Sequence, residues 1–207
     1  RHAATGRPSL CPSSVSVDLP SRLKSATAIV TFGNMSRSSR RSLSAPFRTT
    51  ASPPGASTVR TLHYLSIASA RKSIFIANPY FVPDPPAIDT LIDAKQRGVD
   101  VRIMVSGINN DSWLSRQNSI RLYGRLLAAG IDIYEYQGTM LHHKTMVVDG
   151  VWATVGTTNF DNRSFTHNEE SNVCFYDEPL VERMEATFVD DLQKFGRVRR
   201  GSITSST

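Results

Sequence analysis

Cysteine is scarce in this chain: Cys11 and Cys174 are its only two, and no disulfide framework or paired-cysteine zinc spacing can be built from them. Cys174 sits in the apolar run Val173-Cys174-Phe175-Tyr176 and reads as a small buried hydrophobe. A continuous run of about 18 apolar residues is also lacking, so no stretch reads as a membrane span, and any membrane contact has to be peripheral or rest on further sequence. Acid is nearly missing from the first 58 residues, where Asp18 stands alone against seven arginines and Lys24. The remaining residues carry sixteen basic and seventeen acidic groups, so the formal charge of +6 resides in the amino-terminal segment. That distribution removes the usual argument from a basic balance to nucleic-acid binding by the folded part. Nucleic acid is therefore not the expected partner.

Residues 1–58 are instead rich in Ser, Arg, Thr and Pro, as in Ser36-Arg37-Ser38-Ser39-Arg40-Arg41-Ser42 and Ala51-Ser52-Pro53-Pro54-Gly55. Such a segment has too little apolar surface to offset the entropy of ordering it, and it is expected to be a disordered tail. Its Arg and Ser content fits a transit peptide, but no amphipathic helix accompanies it. The abrupt change after Thr58 also fits a non-native segment from a misjoined gene start. The domain is expected over residues 59–198, followed by a short tail at 199–207.

From Val59 onward, strand and helix patterns alternate. Leu62, Leu65, Ile67 and Ala68 make a helical face, and Ser73–Ala77 reads as a buried strand. Pro85 and Pro86 open a helix closed by Gly98. Val99, Val101, Ile103 and Val105 alternate with polar residues as the next strand, a helix is expected over about 112–129, and Ile131–Tyr134 is a further strand. A last strand at Asn172–Tyr176 precedes a helix with Leu180, Met184, Phe188, Leu192 and Phe195 on one core-facing stripe. The alternation predicts an α/β layer fold.

Between these elements lies a spaced set of polar residues: His142, Lys144, Asp149, Gly156 and Asn159, with Glu170 beyond. Asp149-Gly150 separates Thr145-Met146-Val147-Val148 from Trp152-Ala153-Thr154-Val155, a strong hairpin signal. Residues two apart on a strand share a face, so His142 and Lys144 point together, a nucleophile beside a cation. Gly156 permits a close approach, while the Thr157 hydroxyl and Asn159 amide offer donors to an anionic oxygen.

These residue types suit a phosphodiester. An imidazole attacks phosphorus once a carboxylate holds its other nitrogen, and Glu170 is the candidate for that task. Lys144 and Asn159 are the candidates for holding non-bridging oxygens, an effect worth about 2.7–4 kcal/mol per donor in comparable sites. This chemistry calls for no metal or other cofactor. Asp149, at the far end of the strand, reads as turn and support rather than proton carrier. His143 is expected on the opposite face, and His2, His63 and His167 as bystanders.

The string H-x-K-x4-D-x6-G-x2-N resembles the HKD signature of the phospholipase D superfamily. Asn78–Asp84 (NPYFVPD), Arg97–Met104 (RGVDVRIM), Ala128–Tyr136 (AAGIDIYEY) and Asn159–Phe165 (NFDNRSF) are similar to the C-terminal half of bacterial cardiolipin synthases. The resemblance implies a phospholipase D-like mixed β-sheet flanked by helices. It assigns catalytic roles to His142, Lys144, Asp149, Asn159 and Glu170, with phosphate binding by Lys144, Gly156, Thr157 and Asn159. Of Glu169 and Glu170, the family pattern selects Glu170, two residues after Asn168. The family places two HKD motifs across one site, one histidine attacking phosphorus and the other protonating the leaving oxygen. This chain has one, since His2, His63 and His167 are followed two residues later by Ala4, Leu65 and Glu169. The resemblance thus implies phosphatidyl transfer of the cardiolipin synthase type on a phosphatidylglycerol-like lipid, through a phosphohistidine. The second motif would come from a homodimer or an N-terminal half, and the setting would be the cytoplasmic side of a bacterial membrane. The alternatives are a homodimeric, metal-independent phosphodiesterase or nuclease, and an inactive half-enzyme.

Overall fold

A computed structural model describes residues 43–49, 58–107, 122–166, 168 and 170–199. Eight strands form one sheet: β1 (Leu43–Thr49), β2 (Ser73–Ala77), β3 (Asp100–Ser106), β4 (Asp132–Tyr136), β5 (Lys144–Val148), β6 (Trp152–Gly156), β7 (Glu170–Tyr176) and β8 (Gly196–Arg199). Their order is β1-β7-β6-β5-β2-β3-β4-β8. The central β2, β3 and β4 run parallel, and every other pairing is antiparallel. The helices are α1 (Thr58–Ser69), α2 (Pro85–Gln96), α3 (122–128), α4 (Asn162–Thr166) and α5 (Glu178–Phe195). The expected mixed sheet with flanking helices is what forms.

Alternation along the strands gives the sheet two apolar faces. Phe75, Ala77, Met104, Val147 and Ala153 face α5, which contributes Val181, Phe188 and Leu192 to that core. Phe75 and Phe188 stack with ring centroids 5.1 Å apart, and burial of such rings is the main favourable contribution on this side. Between them, at alternate positions, Ile74, Ile76, Ile103 and Ile133 are buried, with Ile67, Leu91 and Leu126 from the helices buried as well. α2 begins where Pro85 and Pro86 supply φ angles suited to a first turn and Asp84 accepts a hydrogen bond from the Ala87 amide at 3.0 Å. Asp84 also receives the Tyr64 hydroxyl and the Arg60 guanidinium, which ties α1 to the start of α2.

Two features differ from the sequence reading. Leu43–Thr49, placed there in the tail, forms the edge strand β1 against β7. Pro46 is tolerated because an edge strand has one side of its ladder unpaired. The rest of the expected tail at 1–58, apart from Thr58, lies outside the described residues, as do 200–207 and most of the helix expected at 112–129. On α5, Val181 joins Phe188 and Leu192 in the core in place of the expected Leu180 and Phe195. Phe195 is 39% exposed and rests on Tyr136 with centroids 5.1 Å apart.

Candidate active site

The sheet brings the polar residues to one end. This is the carboxyl end of parallel β2 and β3, the usual location of ligand sites in α/β sheets. Antiparallel β5 begins there with Lys144, β6 ends there with Gly156, and β7 starts there with Glu170.

His142 lies just before β5 with an exposed side chain, and Lys144 is buried at 8% exposure. The Lys144 ammonium donates to the His142 carbonyl at 2.7 Å and stands 3.4 Å from His142 Nδ1. Histidine and cation are therefore neighbours, as the i, i+2 spacing requires. His143 lies within electrostatic reach of Asp191 on α5. Partial burial lowers its pKa, the charge of Asp191 opposes this, and that of Lys144 adds to it.

The Glu170 carboxylate is buried at this end of β7. It accepts the Thr157 hydroxyl proton and a hydrogen bond from Asn168 Nδ2 at 3.2 Å. The sequence reading pairs Glu170 with His142. In this structure the contacts just given join the carboxylate to Thr157 and Asn168, while the close polar contact of His142 Nδ1 is Lys144. Thr157 is likewise engaged differently from its expected role as a phosphate donor. Its hydroxyl proton goes to Glu170, its oxygen accepts from Ser171 N at 3.0 Å, and its amide donates to Ser171 O at 3.0 Å. Lys144 and Asn159 remain as the groups suited to anionic oxygens. Asn159 Oδ1 is buried with no hydrogen-bond partner.

Gly156 serves a close approach from within the chain. A Cβ there would lie 2.1 Å from Asn172 Oδ1 and 2.4 Å from Ser171 O, so no other residue fits this register. Asn172 and Asn78 were not singled out in the sequence. Asn172 accepts from Thr158 Oγ1 at 2.7 Å and Thr158 N at 3.4 Å, and Asn78 Nδ2 donates to Thr158 O at 3.3 Å. The apolar floor is aromatic: Phe160 lies 5.1 Å from Phe81 and 5.5 Å from Phe165 between ring centroids, with His63 at 5.7 Å. Burial in that cluster lowers the His63 pKa to about 4, which keeps the imidazole neutral at pH 7.

Asp149 stands at the opposite end of β5. Its carboxylate accepts from the backbone amides of Arg71 (3.0 Å), Lys72 (2.7 Å) and Ser73 (3.0 Å), and its φ of 57° forms the hairpin turn. It therefore anchors the hairpin to the loop before β2, which is the supporting role the sequence suggests. A groove of about 680 Å³ adjoins it, but its lining includes Glu178, Glu182 and Glu185, which disfavour a phosphodiester.

The family described as "Cardiolipin synthase, PLD-like domain" matches residues 65–192. A probable cardiolipin synthase, YwiE of Bacillus subtilis, is 45% identical over 133 residues, covering 64% of this chain and 26% of that protein. Cardiolipin synthase 2 of Staphylococcus epidermidis is 41% identical over 130 residues, 61% of this chain and 26% of the relative. The chain thus spans about a quarter of the length of these relatives. Among solved structures, the phospholipase D family member Nuc from Salmonella typhimurium superposes with a TM-score of 0.66 at 25% identity, over 78% of this chain and 100% of that one. A phosphatidylserine synthase from Haemophilus influenzae gives a TM-score of 0.65 at 13% identity, over 80% of this chain and 42% of the other, and shows the shared fold.

Proposed function

The chain belongs to the family of cardiolipin synthase PLD-like domains, and from that premise we propose that it supplies one HKD half of a phosphatidyltransferase. The observation that carries this reading is the Lys144 ammonium 3.4 Å from His142 Nδ1 at the open end of the sheet, with Asn159 on the adjoining loop. One histidine of a two-motif site attacks the phosphorus of a phosphatidylglycerol-like lipid and releases glycerol, which takes its proton from the other histidine. The hydroxyl of a second lipid then gives that histidine its proton, attacks phosphorus and breaks the P–N bond. His142 fills one of these two roles. Lys144 and Asn159 hold the non-bridging oxygens as charge develops. Glu170 is the carboxylate that orients His142 in the assembled site. The second HKD motif comes from a second copy or from an amino-terminal half, and the close likeness to cardiolipin synthases favours the latter.

This half meets its lipid substrate at the cytoplasmic face of a bacterial membrane. Among the described residues no helix is long and apolar enough to cross a bilayer. The test is product analysis with phosphatidylglycerol, using the chain joined to a second HKD half. Cardiolipin plus glycerol is expected on thin-layer separation. A parallel plasmid-nicking assay that alone shows turnover replaces this reading with a nuclease, and turnover of neither substrate identifies an inert half.

A further inference from the structure

We infer that Asn172, outside the HKD string, is a positioning residue that aims Asn159 at the phosphate; the inference rests on the phosphate reading above. Asn172 is 2% exposed, faces Gly156 across the β6–β7 pair, and spends its whole carboxamide on neighbouring groups. Its Oδ1 receives Thr158 Oγ1 at 2.7 Å and Thr158 N at 3.4 Å, and its Nδ2 donates to Thr154 Oγ1 at 3.2 Å. Thr158 is also held at its carbonyl by Asn78 Nδ2 at 3.3 Å. With its amide, hydroxyl and carbonyl all bonded, Thr158 has both flanking peptide planes set, and the second of these carries the Asn159 nitrogen.

Asn159 needs that help. Its own Oδ1 is buried without a partner, so no bond from that oxygen to the protein fixes the side chain, and what the loop supplies is the position of its Cα, set through the Thr158 peptide. The absent Cβ at Gly156 completes the arrangement, because the space it would fill is occupied by Asn172 Oδ1. A buried acceptor with two donors converging on it, opposite a residue that must be glycine, costs more to maintain than an apolar pair would. Precise placement of the next residue accounts for that expense.

The test follows the amide signals of the full chain by NMR during titration with inorganic phosphate. In the unaltered chain phosphate shifts the Lys144 and Asn159 signals. Asn172→Leu, similar in volume but with no acceptor, raises the phosphate dissociation constant about tenfold or more. Thr158→Val produces part of that loss, adds nothing to it in the double variant, and is rescued by Thr158→Ser, because both residues act through one bond. Should Asn172→Leu not fold, the Thr158 pair carries the test. Val181→Ala, on the core face of α5, lowers the melting temperature without changing phosphate affinity. The inference is overturned if Asn172→Leu, or Thr158→Val in its place, binds phosphate as the unaltered chain does, or if Val181→Ala loses as much affinity. If phosphate leaves the unaltered Lys144 and Asn159 signals unmoved, the phosphate reading itself fails and the inference falls with it.

Discussion

Replacing Asp149 separates a structural from a chemical role for the aspartate of the HKD string. Three backbone amides, from Arg71, Lys72 and Ser73, converge on its carboxylate at 2.7–3.1 Å. Hydrogen bonds to a charged acceptor contribute about 1.5–3 kcal/mol each when buried. Here one half-buried carboxylate serves all three and water can replace part of the loss, so Asp149→Ala is expected to cost about 2–4 kcal/mol. Alanine at a φ of 57° adds roughly 1 kcal/mol more. Asn tolerates that conformation and keeps one acceptor oxygen, so Asp149→Asn is expected to cost only about 1 kcal/mol. In thermal melting the two variants should fall by roughly 6–20 °C and 2–4 °C. Turnover of a reconstituted two-motif enzyme, measured well below the melting point, should drop less than tenfold in either. A collapse of turnover in Asp149→Asn with an unchanged melting temperature would refute the structural role and make Asp149 a participant in the chemistry.

Other outcomes follow from the same geometry. His142→Ala and Lys144→Ala should each abolish turnover of the two-motif enzyme while shifting melting by no more than a few degrees, because in the proposed reaction both act on the phosphate; near-normal rate at either position rejects the site. Gly156→Ala should destabilise the domain by about 1–3 kcal/mol in urea titration, since its Cβ would sit 2.1 Å from Asn172 Oδ1 and force β6 from β7. His63 gives a pH dependence. Its folded pKa of about 4 lies below the ordinary 6.5, so the unfolded chain takes up the proton first. Stability is complete above pH 6.5 and declines as the pH falls from 6.5 to 4, by about 3 kcal/mol in all. His63→Phe should flatten that stretch of the stability–pH curve.

Much of this fold was legible because its central strands announce themselves by pattern. Val99, Val101, Ile103 and Val105 alternate, Asp149-Gly150 signals a hairpin, and Pro85-Pro86 after Asp84 and before Ile88, Leu91 and Ile92 suits a helix start. β1 escaped notice because Leu43, Ala45 and Phe47 alternate within Ser- and Arg-rich sequence and around Pro46, and edge pairing depends on β7 being there to receive it. His142, Lys144, Asn159 and Glu170 could be picked out as candidates because fixed spacing marks them. Asn172 and Asn78 could not: each is one polar residue at the edge of an apolar run, and its partner, Thr158, arrives only when β6 and β7 are paired. The Thr157–Glu170 bond is of the same kind, set by strand register rather than by spacing.

The central claim is that a histidine takes the phosphatidyl group before a second lipid does, and the configuration at phosphorus reports on it directly. A two-motif enzyme containing this chain would be given phosphatidylglycerol made chiral at phosphorus with sulfur and oxygen isotopes, and the product configuration read by 31P NMR. Two successive in-line displacements, through a phosphohistidine, predict retention, whichever of the two histidines attacks. Inversion would mean a single direct displacement and would contradict the account.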